Sequence, residues 1–476
     1  MGEKNVIKSI LLNKAAKGLN GKQSGLEKLI KATKKYDDHM DPYMRSFING
    51  LDKSIQTDGN FHKIFLRVGQ GTSPYYRKKI VENLIYNEFI LGRDKRLQEH
   101  QGDNLVPAFV VISPTMKCNL RCIGCYSGLY EKDGELSEAE MDKLLGDLRD
   151  LGIYFVVISG GEPYTKKDML LRLFKKYNDM FFLTYTNGTF LDKETATALG
   201  KLGNVAPAIS VEGWEEETDA RRGAGTWKKI MAAMDNLREN GVLFGISVTA
   251  TSKNQDVLTD DAFIEYFIKK GAIFGWYFMF MPVGKDPILE LVPTPAQRKH
   301  YGERVREMRS QHPIFLADFW NDGDVIGGCL AGGRVYMHIL SSGNVEPCVF
   351  AHFGIDNIRD KPLREIINSP FFKEIRHSFP YNENGNLKRP CMIIDNPDVL
   401  RNAVHKHFVH AGHTHSEDLI NNPDVVKWID SYSTQFAALT DPEWDERIKN
   451  PNDQWYKEGD LYKKLFQYQT VTPEKE

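Results

Sequence analysis

AFVVISPTMKCNLRCIGCYSG, residues 108–128, is the stretch whose reading decides the fold. Its opening, Ala108–Thr115, reads as a buried strand. Three cysteines follow at C-x3-C-x2-C spacing, Cys118, Cys122 and Cys125. The loop that carries them therefore hangs from the C-terminal end of a strand, the rim where parallel α/β barrels keep their chemistry. A structural zinc site closes on four ligands, usually from two separate knuckles, yet the next cysteine here is Cys329. An iron–sulfur cube takes one soft thiolate per iron. Three thiolates thus leave one iron open to something else.

Working outward, residues 105–310 alternate strands and helices. Five more apolar runs read as strands: Tyr154–Ser159, Phe181–Thr186, Val205–Glu212, Val242–Ala250 and Ile273–Met281. Helices are expected between them. The first starts near Ser137, where Glu140 completes a capping-box pattern. Others cover Lys166–Tyr177, Lys193–Leu202, Trp227–Glu239 and Asp261–Lys270, with a last one near Pro295–Arg309. Near-continuous apolar strands fit a parallel sheet buried on both faces. The strand ends carry polar motifs: strand two ends in Gly160-Gly161-Glu162-Pro163, strand three in Thr186-Asn187-Gly188, and strand four in Ser210-Val211-Glu212, which places Ser210 and Glu212 on the same strand face. Arg221 and Arg222 follow, either near that rim or as surface salt-bridge donors.

These motifs, one per strand end and in this order, resemble those of the radical S-adenosylmethionine (radical SAM) superfamily. The resemblance implies an α/β fold, a partial (β/α)6 TIM-type barrel, with Cys118, Cys122 and Cys125 holding a [4Fe–4S] cluster. The open iron would chelate SAM, and reductive cleavage would yield a 5'-deoxyadenosyl radical that abstracts hydrogen from substrate. By the same resemblance Gly160, Gly161, Glu162 and Pro163 hold the SAM amino group. Thr186, Asn187, Ser210 and Glu212 contribute to the SAM site, and Arg222 contacts the carboxylate. The family usually has an aromatic residue just before the third cysteine; this chain has Gly124, with Tyr126 just after.

A second trio, Cys329, Cys348 and Cys391, is spaced x18 and x42. Cys348 ends G-N-V-E-P-C, in the second strand of a hairpin turning at Ser342-Gly343-Asn344. This region resembles the SPASM or twitch auxiliary-cluster module, which implies a second [4Fe–4S] cluster with an open iron or a non-cysteine fourth ligand. His338, His352 and the run His405, His407, His410, His413 and His415 are candidate ligands; the run alternatively reads as a solvated helix end. Three buried cysteines acting as small hydrophobes are the alternative for the trio itself.

The expected organisation is a helical segment 1–104, a barrel 105–310, an auxiliary region 311–400 and a helical tail 401–476. Net charge is −2 over 476 residues, which gives no sign of a nucleic-acid binder. No run of eighteen apolar residues predicts a membrane span, and the N-terminus lacks an apolar signal core. Clustered thiols suit a reducing cytoplasm. Residues 1–35 hold nine lysines against Glu3 and Glu27, with Ile7, Ile10, Leu11, Ala15 and Leu19 at roughly helical spacing. Such a helix can lie on an anionic membrane surface at the inner face, or pack its stripe on a neighbour. No phosphate loop, nucleophile elbow or cobalamin domain is present. The expected partners are SAM, a reductant such as flavodoxin or ferredoxin, and an unnamed substrate, lipid, isoprenoid or small molecule. Peptide or protein maturation, and a non-catalytic iron–sulfur electron carrier, are the alternatives.

Overall fold

The computed structural model describes residues 12–34, 42–284, 288–407, 409–413 and 415–450. Six strands stand where the apolar runs predict them: β1 (Phe109–Ile112), β2 (Phe155–Ile158), β3 (Phe181–Thr186), β4 (Val205–Val211), β5 (Gly245–Ala250) and β6 (Phe274–Met279). Each pairs in parallel with the next, so the sheet follows chain order. Its strands are buried along most of their length. Helices cover the outer face: α1 (Glu138–Asp150), α2 (Lys167–Lys176), α3 (Lys193–Leu202), α4 (Glu215–Arg222), α5 (Thr226–Glu239), α6 (Asp261–Lys270) and α7 (Pro295–Gln311). The capping box at the start of α1 is formed, with Ser137 and Glu140 exchanging side-chain bonds for each other's backbone N–H. These two exchanges satisfy donors that a bare helix start leaves orphaned.

Two features depart from the expected plan. A seventh parallel strand, β7 (Phe315–Asp318), pairs with β6. It is four residues long and too short to carry a periodic signal. The hairpin is present as β8 (His338–Ile339) and β9 (Asn344–Glu346), turned through Gly343 at φ +86°. However, β8 also pairs in parallel with β1, so the hairpin extends the barrel sheet across the boundary expected at 310. Two more short strands follow, β10 (Phe353–Gly354) and β11 (Asp356–Asn357). The ten-stranded order is β11-β9-β8-β1-β2-β3-β4-β5-β6-β7, and its edges β11 and β7 do not pair with each other. The barrel is partial.

The segment 74–99 closes the N-terminal end of the strands. It is continuous, but its middle, Ile80–Gly92, is wound as a π-helix. Buried Glu88 accepts from the Tyr154 and Phe155 N–H groups at 2.8 and 2.9 Å and pairs with Arg96 at 2.8 Å. Arg67 likewise donates to the Ala272 and Pro313 carbonyls at 2.7 and 2.6 Å. In the basic N-terminal stretch, Leu19 is buried in the main core while Lys14 and Lys17 face solvent. Ile7, Ile10 and Leu11 lie outside the described residues. Among the described residues no helix is long and apolar enough to cross a membrane.

The chain ends in α8 (Pro397–His407), a short strand β12 (His410–Ala411) and α9 (Pro423–Lys449). The histidine run is not simply a solvated helix end. Strand β12 pairs antiparallel with β10, and buried His413 meets His352 at 2.8 Å, Nε2 to Nδ1.

Candidate active site

The open end of the strands holds a cavity of about 240 Å³. Cys118, Cys122 and Cys125 line it together with Gly160, Gly161, Thr186, Asn187, Ser210, Arg221 and Arg222. All six cysteines of the chain are free thiols. Residues from four separate loops therefore meet at one rim, as the order of motifs predicts.

The glycine pair answers to a backbone constraint. A Cβ on Gly160 would lie 2.3 Å from the Thr115 carbonyl oxygen, and one on Gly161 2.4 Å from that of Lys117. Only bare backbone lets the β2 turn lie against the lead-in to the cysteine loop. It is fastened there by Gly161 N–H to Thr115 O at 3.0 Å and Glu162 N–H to Lys117 O at 2.9 Å. Glu162 lies just below the cavity, fully buried. Its carboxylate accepts from Tyr164 N–H at 3.0 Å, Thr186 Oγ1 at 2.8 Å and Asn187 N–H at 2.7 Å. Burial nevertheless pushes its carboxyl up to about 7. Pro163 opens a 3-10 turn and is buried. Asn187 turns its amide to Asn119 Oδ1 at 2.9 Å, joining strand three to the cysteine loop.

Two expectations are corrected. Ser210 and Glu212 do not share a strand face, because β4 ends at Val211. Ser210 lines the cavity, whereas Glu212 is 1 % exposed and pairs with Arg221 at 2.7 Å and with Arg222 Nε at 2.8 Å. Its second oxygen, Oε2, is buried without a partner. The two arginines are consequently not surface donors. Burial works against the Arg222 charge, but Glu212 together with Cys122 and Cys125 outweighs it and holds the guanidinium protonated. Burial also pushes the Cys122 thiol up, with Arg222 opposing.

Gly124 has no side chain for a reason the loop alone does not reveal. Its φ is +61°, and a Cβ there would sit 2.3 Å from the Phe280 ring. An aromatic side chain does occupy this part of the cavity wall, but it comes from the end of strand six. Phe280 was missed in the sequence because only the fold brings it across; Arg221 lies 5.9 Å over its ring.

The second trio is adjacent. Leu330, Tyr336, Val349 and Phe350, neighbours in chain or space of Cys329 and Cys348, belong to the same cavity wall. The Tyr336 hydroxyl lies 3.0 Å from Cys348 Sγ. Burial pushes the Cys348 thiol up to about 12, with Cys329 adding to the effect; Cys391 is also raised by burial and further by Asp395 and Cys329. Two expected alternatives for a fourth ligand are already engaged. His338 bonds Ser113 at 2.7 Å and Glu346 at 2.9 Å, and His352 bonds the Val349 carbonyl at 3.0 Å as well as His413.

Among the described residues no three His, Cys, Asp or Glu side chains gather tightly enough for a single ion. A zinc ion would draw its thiolates to about 2.3 Å from one centre. A cube that takes one thiolate per iron needs no such convergence. Each trio offers three free thiols, one short of a closed zinc site, and that donor set fits a cube with one iron left open.

Comparison with known proteins agrees. The Radical SAM superfamily profile matches residues 112–257, and an iron–sulfur cluster-binding domain profile, SPASM, matches residues 329–393. The mycofactocin maturase MftC of Mycobacterium ulcerans is 31% identical over 281 residues, covering 55% of this chain and 75% of that protein. The AdoMet-dependent heme synthase of Methanosarcina barkeri is 26% identical, covering 61% and 88%. The crystal structure of Streptococcus suis SuiB bound to S-adenosylmethionine superposes with a TM-score of 0.50 at 19% identity, covering 62% of this chain and 71% of that one. The heme synthase is named for its dependence on S-adenosylmethionine. The chain belongs to the radical SAM superfamily: it is an enzyme of the SPASM-containing kind, which uses S-adenosylmethionine with a [4Fe–4S] cluster and auxiliary iron–sulfur chemistry.

Proposed function

We propose that this enzyme abstracts hydrogen from an apolar substrate, a lipid or isoprenoid chain or a small apolar molecule, held in the aromatic cavity beside Cys118, Cys122 and Cys125. When bound, the cluster and SAM supply a 5'-deoxyadenosyl radical, chemistry that protein groups alone lack. The chain's own residues bind, orient and exclude water. The three cysteines hold the cluster. Gly160, Gly161 and Pro163 shape the turn that faces the SAM amino group, and Glu162, fixed by three donors, supplies the negative charge for it. Arg222 and Arg221 answer the SAM carboxylate, Thr186, Asn187 and Ser210 offer polar edges, and Phe280 gives a face for the adenine. Glu212 acts through the arginines. Cys329, Cys348 and Cys391 hold the auxiliary centre.

The observation that carries the substrate class is the composition of the cavity wall. Beyond the cysteine rim it is built from Phe109, Phe155, Tyr185, Trp276, Phe278 and Phe319, and among the described residues its only charged side chains are Arg221 and Arg222. Both arginines stand at the cysteine end, where Arg221 donates to the Ile123 carbonyl at 3.2 Å. A wall of this kind favours apolar groups and keeps a radical away from water. The test is isotopic. Reduced enzyme is incubated with SAM and vesicles of a perdeuterated isoprenoid-chain lipid, and 5'-deoxyadenosine is analysed for deuterium. Deuterium transfer supports the reading; unlabelled nucleoside in every case sinks it.

A second reading has one specific support. A relative 31% identical over 75% of its own length is named a mycofactocin maturase, and a solved neighbour of the same fold is SuiB bound to its precursor peptide. On that reading the substrate is a peptide, and deuterium would pass from a deuterated peptide pool instead.

A further inference from the structure

Three cysteines leave one corner of an auxiliary cube without a thiolate. The side chains around Cys329, Cys348 and Cys391 can be taken in turn. His338 and His352 are engaged at both ring nitrogens. Asp395 accepts from both terminal nitrogens of Arg298 and from the Cys391 N–H. Tyr336 directs its hydroxyl to Cys348 Sγ.

Tyr381 differs from all of them. Its hydroxyl is buried and has no hydrogen-bond partner. A Cβ on Gly332 would stand 3.7 Å from that oxygen, which fixes it over the turn that follows Cys329. The turn it lies over joins two of the cysteine segments, since Gly332, three residues after Cys329, donates its N–H to the carbonyl of Pro347, the residue before Cys348, at 2.8 Å. The ring is held edge-on to Phe379 at 5.5 Å, and Phe379 in turn lies 4.4 Å beneath Arg334. A buried hydroxyl left unpaired is costly, so its place beside the turn between Cys329 and Cys348 asks for a partner there.

We propose that Tyr381 is the fourth protein ligand of the auxiliary centre, its phenolate oxygen bound to the iron that Cys329, Cys348 and Cys391 leave open. On binding, the O–H bond breaks, an Fe–O bond forms, the proton leaves to solvent, and no electron changes hands. A centre completed in this way has no vacant corner for substrate and is left to exchange electrons. The proposal rests on reading the second trio as a cluster site, and the experiment separates the two.

The full chain carrying Cys118→Ala, Cys122→Ala and Cys125→Ala is reconstituted anaerobically, so that only the auxiliary centre is read. The expected result is about four irons per chain, with a phenolate-to-iron charge-transfer band and phenolate modes in resonance Raman. Adding Tyr381→Phe should abolish the phenolate signals, and Tyr381→Cys should keep the iron and give an all-thiolate spectrum. The cysteine variant also serves if Tyr381→Phe does not fold. Four irons without a phenolate signal, or a signal that Tyr381→Phe leaves unchanged, overturns the Tyr381 assignment alone. No iron in the parent variant overturns the cluster reading, and Tyr381 with it.

Discussion

Replacing Gly124 with tyrosine would drive a ring into the space that Phe280 fills, from a backbone already at φ +61°. Overpacking of this kind costs about 1–3 kcal/mol. Gly124→Tyr should therefore lower the thermal midpoint, and adding Phe280→Ala should recover much of the loss. An additive pair of effects would contradict the exchange of space. Glu162→Gln makes a second residue-scale test. The carboxylate now accepts from three donors, and an amide would turn an N–H toward one of them. Losing a charged, hydrogen-bonded partner is worth about 1.5–3 kcal/mol. SAM affinity measured by equilibrium dialysis should fall roughly ten- to a hundredfold, equivalent to that energy at 1.4 kcal/mol per decade, with iron content unchanged. Residue types at strand ends were legible in the sequence; their partners were not. Nothing in Ser210-Val211-Glu212 says that the strand stops one residue early and turns Glu212 to the arginines.

At the scale of elements, β10 and β12 are joined by a histidine pair that must stay neutral. Burial holds His413 down to about 4, with His415 adding to the effect. Burial and the neighbouring His413 and His338 hold His352 well below its ordinary value. An unfolded chain takes up these protons below about pH 6.5, while the folded chain refuses them. Folding stability linked to the pair is thus intact above pH 6.5 and lost as pH falls toward 4. His413→Gln should flatten the decline of the thermal midpoint between pH 6.5 and 4.5; a parallel decline would contradict it. Helix α7 is tied to the auxiliary region by Arg298 and Asp395, both fully buried, with the guanidinium 3.9 Å over the Phe436 ring of α9. Asp395→Ala would leave a buried charge unpaired, at about 3–5 kcal/mol, and a denaturant melt should register it. Locally determined elements were legible: the six apolar strands, and the α1 start with its capping box. Strand β7 was not, having four residues, and neither was the docking of β8 on β1, which pairs residues more than two hundred positions apart.

For the whole molecule, Cys118, Cys122 and Cys125 line the cavity, chain neighbours of Cys329 and Cys348 contribute to its wall, and the chain between the two trios is the barrel itself. Removing Cys329, Cys348 and Cys391 together should halve the iron from about eight to about four per chain and still allow SAM cleavage. Iron analysis beside 5'-deoxyadenosine assay checks both parts. The family and its two cofactor types were legible because short spacings carry them. The substrate was not, since the cavity wall is assembled from six strands and from segments beside β7 and the hairpin. The most direct measurement of the central claim is the paramagnetic resonance spectrum of that same triple variant, reduced without oxygen, before and after SAM is added. A changed spectrum is predicted, lost on further Cys122→Ala; a spectrum indifferent to SAM would contradict the account.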